Sequence, residues 1–189
     1  MWGFYTGILP YRKFKPFTKM MFKHFNGRKD LIGCEVGVAK GINARSMLYG
    51  LLRNGITVKK MYLVDPYKEY KDTVMDEGVV TIDAEKNWKF AQRYLSAYRD
   101  IVEWRLLESK SAIHFIHDKL DFCYIDANHQ YDFVKKDIDL YYPLMNKNGM
   151  FGGHDYAVNY PDIRKAVNEF ITENKLKLEG YEDDWVVKT

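Results

Sequence analysis

One stretch decides the fold and reads Leu31-Ile32-Gly33-Cys34-Glu35-Val36-Gly37-Val38-Ala39-Lys40-Gly41. Residues 31–38 predict a buried strand because they form a short apolar run that ends at glycine. Residues 43–53 predict a helix, since Ala44, Met47 and Leu51 recur on one face. A strand that turns directly into a helix is the beginning of a βαβ unit.

The same alternation of strand and helix continues along the chain and predicts a three-layer α/β sandwich. Helices are expected from Asp83 as N-cap, from 111 to 117, from 131 to 145 and from Pro161. Residues 66–82 have no clear period and are predicted to form a long loop or lid. The sheet is predicted to be mostly parallel, with seven strands and an antiparallel C-terminal hairpin. The remaining strands of that sheet are 60–64, 102–107, 121–125, 150–153, Leu176–Tyr181 and Trp185–Lys188.

Length and composition favour one intracellular domain. The 189 residues suffice for a single core, and 47% of them are hydrophobic. We find no window of roughly 18 apolar residues, which a membrane span needs, and no secretory signal, so we expect a cytoplasmic protein. Cys34 and Cys123 lie in apolar strands that bring them close if the strands are neighbours. Buried thiols are favoured over a disulfide or a zinc site.

The N-terminal 30 residues are unusually basic, with seven Lys or Arg side chains against the single Asp30. Phe14, Phe17, Met21 and Phe25 are spaced to share one face of a helix. The pattern favours a basic amphipathic arm that packs against the domain or covers its site. Contact with nucleic acid or another polyanion is the alternative.

The turn after the first strand combines an acidic residue with two glycines. Gly37 and Gly41 allow tight turning and close approach of the backbone to a ligand. The spacing departs from the GxGxxG pattern of pyrophosphate-binding loops, and Glu35 would repel a phosphate. Glu35 suits a ligand that carries an ammonium group. Packing alone is the competing interpretation of the glycines.

Two further strand ends carry polar residues. Asp65 ends the second strand and is predicted to accept hydrogen bonds from ribose hydroxyls, although an Asp-Pro turn is the simpler alternative. Ser109 and Ser111 follow the third strand. They either contact an adenine or cap the next helix, and the sequence does not decide between these roles.

The fourth and fifth strands end in acidic residues and histidines. If both strands end at the same edge of the sheet, they bring together Asp126, His129, His154 and Asp155. Asp126, Asp155 and His154 are candidate ligands for Mg²⁺ or another divalent cation. His129 is a candidate general base, and Asp126 is grouped with it as a catalytic residue. Helix capping is the alternative for each residue alone.

These motifs resemble class I S-adenosylmethionine-dependent methyltransferases, specifically small-molecule O-methyltransferases of the macrocin type. The resemblance covers residues 30–189. It rests on the ExGxxxG pattern beginning at Glu35 and on three segments, which read VDPY (64–67), YIDANHQYDFVKKDIDLYYPLM (124–145) and GMFGGHDY (149–156).

The resemblance implies a Rossmann-like catalytic domain in residues 31–189, preceded by the arm of residues 1–30. It also implies that Glu35, Gly37 and Asp65 contact S-adenosylmethionine, with Gly41 in the same loop. The roles implied at the other strand ends are metal binding by Asp126 and Asp155 and deprotonation of the acceptor by His129. At His154, some metal-dependent relatives have a different residue. The expected reaction is methyl transfer to a small-molecule hydroxyl, of a sugar or a phenol-like compound.

Three other functions compete with this interpretation. A nucleic-acid methyltransferase would use the basic arm, but enzymes that methylate base amino groups carry Asn/Asp-Pro-Pro-Tyr where this chain has Asp126-Ala127-Asn128-His129. Methylation of RNA ribose stays open. A non-catalytic nucleoside-binding domain and a nicotinamide-dependent dehydrogenase are the remaining alternatives. The sequence leaves the oligomeric state open and is compatible with a homodimer.

Overall fold

The computed structural model describes residues 14–68, 71–74, 78–81, 83–180 and 182–189. Within these ranges, no helix is both long enough and apolar enough to cross a bilayer. The elements in chain order are α1 (Pro16–His24), β1 (Leu31–Val36), α2 (Ile42–Arg53), β2 (Val58–Val64), β3 (Lys71–Val74), β4 (Gly78–Thr81), α3 (Ala84–Tyr94), β5 (Val102–Arg105), α4 (Ser109–Ala112), β6 (Leu120–Ile125), α5 (Tyr131–Tyr141), β7 (Met145–Gly153), α6 (Pro161–Glu173) and β8 (Trp185–Lys188).

The main sheet has the strand order β5-β2-β1-β6-β7-β8. Its strands pair in parallel, except that β8 runs antiparallel to β7. The chain builds outward from β1 through β2 to β5 and then returns to place β6 on the other side of β1. A crevice for ligands therefore lies at the carboxyl ends of β1 and β6, where the strand order reverses.

Alternating side chains of the central strands build a core on each face of the sheet. On one face, Leu63 and Phe122 pack with α1 and α2; on the other, Cys123 and Phe151 pack with α5 and α6. The predicted three-layer sandwich is confirmed. Cys34 lies opposite Cys123 in the parallel pair of β1 and β6, and both thiols are buried and free, as predicted.

The described part of the N-terminal segment packs into the core. Phe14, Phe17, Met21 and Phe25 are buried, and α1 contacts α2 and β7. The face predicted from their spacing is therefore the face that α1 buries. Residues 1–13 of the predicted arm lie outside the described residues.

Three local predictions need correction. The described residues give the main sheet six strands. Residues 176–180 make one backbone hydrogen bond to β8, from Glu179 N–H to the Val186 carbonyl, and Tyr181 lies outside the described part. The strand predicted at residues 150–153 begins earlier, because β7 extends from Met145 to Gly153. The loop predicted at 66–82 contains an antiparallel hairpin of β3 and β4, with residues 69, 70, 75–77 and 82 outside the description.

Candidate active site

A cavity lies at the carboxyl ends of β1 and β6. Its volume of about 550 Å³ falls in the range of roughly 300–1,000 Å³ that is usual for small-molecule sites. Its wall combines a lysine that precedes α1, the end of β1, the loop after it, and polar side chains of α2 and α3. The lining includes Lys15, Glu35, Gly37, Asn43, Asn87 and Asp126.

Glu35 forms the buried part of this wall, with 1% of its surface exposed. Asn43 Nδ2 donates to Glu35 Oε1 at 2.9 Å, whereas Oε2 has no hydrogen-bond partner among the described residues. Burial raises the pKa of Glu35 to about 8, although the bond from Asn43 opposes the shift. A carboxyl group with one unsatisfied oxygen is costly to bury, and a cationic ligand would offset that cost.

The glycines of the loop are required by packing. Gly37 has a φ of 84°, and a Cβ at this position would lie 2.1 Å from the Asp126 carbonyl oxygen. Gly41 has a φ of 68°, and a Cβ there would lie 2.7 Å from Leu95 Cδ1. Gly37 therefore allows the end of β1 to approach the end of β6 closely. This contact brings the backbone of Asp126 to the cavity.

Asp65 lies at the end of β2, as predicted, and it braces the loop after β1. Its Oδ2 accepts hydrogen bonds from the N–H groups of Val38 at 3.0 Å and Ala39 at 2.9 Å. Its Oδ1 accepts the N–H of Tyr67 at 2.8 Å. Because three backbone donors already use the carboxylate, Asp65 has a structural task in addition to the ribose contact predicted for it.

Ser109 and Ser111 lie at the beginning of α4, but neither is its N-cap, which is Glu108. The Ser109 side chain hydrogen-bonds the buried carboxyl of Asp137, and its carbonyl accepts the Tyr141 hydroxyl at 3.1 Å. Burial raises the pKa of Asp137 to about 6, and the bond from Ser109 opposes the shift. Ser109 thus ties α4 to α5, and neither serine lines the cavity.

Asp126 forms an ion pair with Lys15, the residue before α1. The Lys15 ammonium lies 3.0 Å from Asp126 Oδ2 and 3.2 Å from the Tyr124 hydroxyl, and it sits 5.1 Å from the centre of the Tyr124 ring. The side chains of the pair are 30% and 23% exposed. Solvent therefore screens this pair less than a surface salt bridge.

His129 and Asp155 form a second pair at the same edge of the sheet. His129 Nε2 lies 3.0 Å from Asp155 Oδ2, and its ring lies beside that of Tyr160, with centroids 5.3 Å apart. Burial favours the neutral form of Asp155, but the hydrogen bond with His129 and the nearby positive charges outweigh it and lower the pKa of the carboxyl. An ionised carboxylate that orients an imidazole is a suitable arrangement for a general base.

His154 is directed to a different carboxylate. Its Nδ1 lies 3.0 Å from Oδ1 of Asp184, which is fully buried. Asp184 also accepts the Phe17 N–H at 2.9 Å and the Tyr124 hydroxyl at 2.8 Å. Burial opposes protonation of His154, but the Asp184 bond outweighs it and raises the pKa of the imidazole. His154 therefore connects β7 to the residue before β8.

The donors for a divalent cation are present in a revised set. Asp126, His129 and Asp155 each offer one ligand atom, and these atoms lie within 4.8 Å of one another. His154, predicted as a ligand, lies outside this group, whereas His129, predicted as a base, belongs to it. One imidazole nitrogen and two carboxylate oxygens fit Mg²⁺ or Mn²⁺. Lys15 contacts Oδ2 of Asp126, which leaves Oδ1 for a cation.

Sequence reasoning missed three residues of this region, namely Lys15, Asn43 and Asp184. Lys15 was counted only as one of the basic residues of the arm. Its contact with Asp126 joins positions 111 residues apart, which no local pattern reveals. Asn43 is the second residue of α2, directly after the glycine loop. A polar residue at this position is the signal in the sequence for its contact with Glu35.

A family model described as a methyltransferase domain matches residues 34–156. This match includes Glu35, the glycine loop and the Asp126–Asp155 cluster. The chain belongs to this methyltransferase domain family. None of the curated proteins matches its sequence significantly. Membership confirms the predicted class of S-adenosylmethionine-dependent methyltransferase.

Several solved structures share the fold of this methyltransferase domain at low sequence identity. Calicheamicin methyltransferase CalS11 is similar with a TM-score of 0.69 at 10% identity, over 90% of this chain and 76% of that chain. The Bacillus cereus O-methyltransferase in complex with SAH gives 0.66 at 12%, over 97% and 83%. A Streptococcus thermophilus rRNA methylase gives 0.60 at 12%, over 92% and 95%. These likenesses confirm the Rossmann-like fold.

Proposed function

We propose that this protein transfers the methyl group of S-adenosylmethionine to a hydroxyl of a small molecule, such as a sugar or a phenol-like compound, with help from a divalent cation. One observation carries the proposal. A cavity of cofactor size, with the unsatisfied oxygen of Glu35 in its wall, lies directly beside the acidic and histidine side chains of Asp126, His129 and Asp155.

The cofactor assignment follows the chemistry of the cavity. The ammonium of S-adenosylmethionine supplies the partner that Glu35 Oε2 lacks, and the Gly37–Gly41 loop approaches the same end of the molecule. Asp65 is assigned to the ribose hydroxyls, since its Oδ1 accepts only the Tyr67 N–H and can accept one more bond. Ser111 is the better adenine candidate of the two serines, because the Ser109 hydroxyl is bonded to Asp137.

The acceptor assignment follows from the second cluster. When bound, the cofactor supplies a methyl group on a sulfonium, which the acceptor oxygen must approach in line. Asp155 orients the His129 imidazole, which would take the proton of the acceptor hydroxyl when no cation is bound. A divalent cation held by Asp126, His129 and Asp155 would instead lower the pKa of that hydroxyl and orient it, and the proton would pass to solvent.

The RNA alternative is weakened because three basic side chains in the described part of the arm have partners within the domain. Lys15 pairs with Asp126, Arg28 with Asp121, and Lys29 donates to the Gly55 carbonyl. A polyanion-binding face needs lysines and arginines that point to solvent without such partners. Of the basic residues in α1, Lys23 is exposed, so the described part of the arm keeps a small solvated face.

Calorimetric titration with S-adenosylhomocysteine, the product form of the cofactor, tests the proposal. We expect binding by the wild type and weaker binding by Asp65→Asn. Asp100→Asn, which changes an exposed carboxylate, should bind as the wild type does. Tight binding of NADH with no binding of S-adenosylhomocysteine would refute the assignment. Undiminished methyl transfer in EDTA would remove the cation from it.

A further inference from the structure

Among the described residues that line the cavity from outside the glycine loop, Lys15 is the one lysine. An ammonium group has three N–H donors. Two of them have partners among the described residues, at Asp126 Oδ2 and at the Tyr124 hydroxyl. With 30% of the side chain exposed, the third donor has access to the cavity.

Glu35 faces the same cavity with the opposite chemistry. Its Oε2 is buried and has no hydrogen-bond partner in the described part of the chain. The positive charge of Lys15 is close enough to favour ionisation of Glu35. One wall therefore offers a cationic donor and a carboxyl group that a cationic ligand would ionise, each with unused hydrogen-bonding capacity. This pair complements a ligand that carries one negative and one positive group a few bonds apart.

We propose that Lys15 and Glu35 together bind the amino-acid end of S-adenosylmethionine, with Lys15 donating to the carboxylate while Glu35 accepts from the ammonium. The inference rests on the proposed cofactor and adds the residue that recognises its carboxylate. The ion pair with Asp126 and the Tyr124 hydroxyl hold Lys15 in place. The segment before α1 thereby becomes part of the cofactor site.

A charged hydrogen bond of this kind contributes enough that its loss weakens binding roughly 10- to 100-fold. The other use of Lys15, a contact with the acceptor oxygen, predicts no change in cofactor affinity. Ligands that differ in the carboxylate alone therefore distinguish the two roles, and the acceptor need not be known.

The experiment titrates the full chain with S-adenosylhomocysteine and with its decarboxylated analogue, which keeps the amine. Lys15→Met should lower the affinity for S-adenosylhomocysteine roughly 10- to 100-fold and leave the affinity for the analogue unchanged. Lys15→Arg keeps the charge and should restore most of the binding. Lys23→Met removes an exposed lysine of the same helix and serves as the matched control. Thermal unfolding of each variant reports whether α1 still packs.

Each other outcome has a defined meaning. Equal affinity of Lys15→Met and the wild type for S-adenosylhomocysteine would overturn this inference and leave the proposed function intact. An equal loss for both ligands would also overturn it, since Lys15 would then shape the cavity without reading the carboxylate. If the wild type binds neither nucleoside, the proposed function fails, and the inference fails with it.

Discussion

Two carboxylates of the central sheet, Asp121 and Glu35, are almost equally buried, at 5% and 1% exposure, and they differ in their partners. Asp121, at the beginning of β6, pairs with Arg28 at 2.8 Å and accepts the Ile32 N–H at 2.9 Å and the Asn146 amide at 3.2 Å. Glu35, at the end of β1, has a single donor. Asp121 is satisfied by the fold, whereas Glu35 leaves capacity for a ligand.

The difference separates stabilising residues from residues of the site. Removing a buried carboxylate whose donors are all supplied by the protein costs stability, because those donors are left buried without a partner. A buried carboxylate that lacks donors costs stability until a ligand binds. The same sheet thus has a structural edge at the beginning of β6 and a functional edge at the end of β1. Four predictions test this contrast.

The largest effect is expected at the structural edge. Asp121→Ala should lower the free energy of unfolding by about 3 kcal/mol, toward the lower end for a broken buried ion pair, because Arg28 is 44% exposed. The variant also leaves the Ile32 N–H without its acceptor. Denaturant unfolding measures the loss, with Asp100→Ala as the exposed control. The affinity of the folded fraction for S-adenosylhomocysteine should stay unchanged. A loss of affinity along with stability would contradict the assignment of Asp121 to stability alone.

At the functional edge, Glu35→Gln should weaken ligand binding and leave the free energy of unfolding undiminished. The amide keeps the size of the side chain but loses the charge that faces the ammonium, so affinity for S-adenosylhomocysteine should fall about 10- to 100-fold. Stability of the empty protein should not fall, since no ion pair is broken. Glu85→Gln, on the exposed face of α3, is the matched control. A variant that unfolds more easily and binds normally would contradict the assignment.

The pKa of Glu35 adds a pH test of the same residue. Burial raises that pKa from 4.5 to about 8, with Asn43 and Lys15 opposing the shift and Asp126 and Asp65 adding to it. The folded protein therefore holds a proton that the unfolded chain has lost. The stability contribution is full below pH 4.5 and falls as pH rises towards 8, by at most about 1.4 kcal/mol per pH unit.

Denaturant unfolding from pH 5 to 8 measures this slope. The stability difference between Glu35→Gln and the wild type should widen as pH rises, in favour of the variant. Saturating S-adenosylhomocysteine should reduce the slope, because its ammonium favours the ionised carboxylate. Parallel curves for the two proteins would mean that Glu35 is solvated in the empty cavity.

The fold was predictable where a pattern has a single structural solution. Residues 31–36 and 120–125 are largely apolar runs bounded by turns, and such runs are typical of parallel strands buried on both faces. Asp83 accepts the Lys86 N–H at 2.9 Å and begins α3, as its residue type predicts. Residues 176–180 misled because Leu176 and Leu178 pack against the core without pairing as a strand. Alternating apolar residues show that a segment is partly buried, but a segment can be buried without forming the hydrogen bonds of a β-strand.

The site was predictable to the extent that strand ends define it. Asp126, His129 and Asp155 follow parallel neighbouring strands, so topology alone brings them together. The partners of each side chain were not predictable, because they come from distant segments. Lys15 reaches Asp126 from before α1, and Asp184 takes His154 from before β8. Because Asp184 holds His154, it is His129 that lies with Asp126 and Asp155 in the group of candidate cation ligands.

The smallest effect is expected at His154. Asp184 resembles Asp121, since it accepts bonds from the Phe17 N–H and the Tyr124 hydroxyl as well as from His154. His154→Ala removes one of three partners and should cost about 1 kcal/mol of stability. Because His154 lies outside the ligand group, affinity for Mn²⁺ should stay as in the wild type.

His129→Ala is the matched comparison, measured by calorimetric titration with Mn²⁺. It removes a member of the ligand group and should lower the affinity more than about tenfold, with a smaller cost in stability. If His154→Ala weakened Mn²⁺ binding as much as His129→Ala, the contrast would fail at this position. His154 would then bind the cation as well as Asp184. In that case the hydrogen-bond partners of a side chain would not tell whether it acts in stability or in ligand binding.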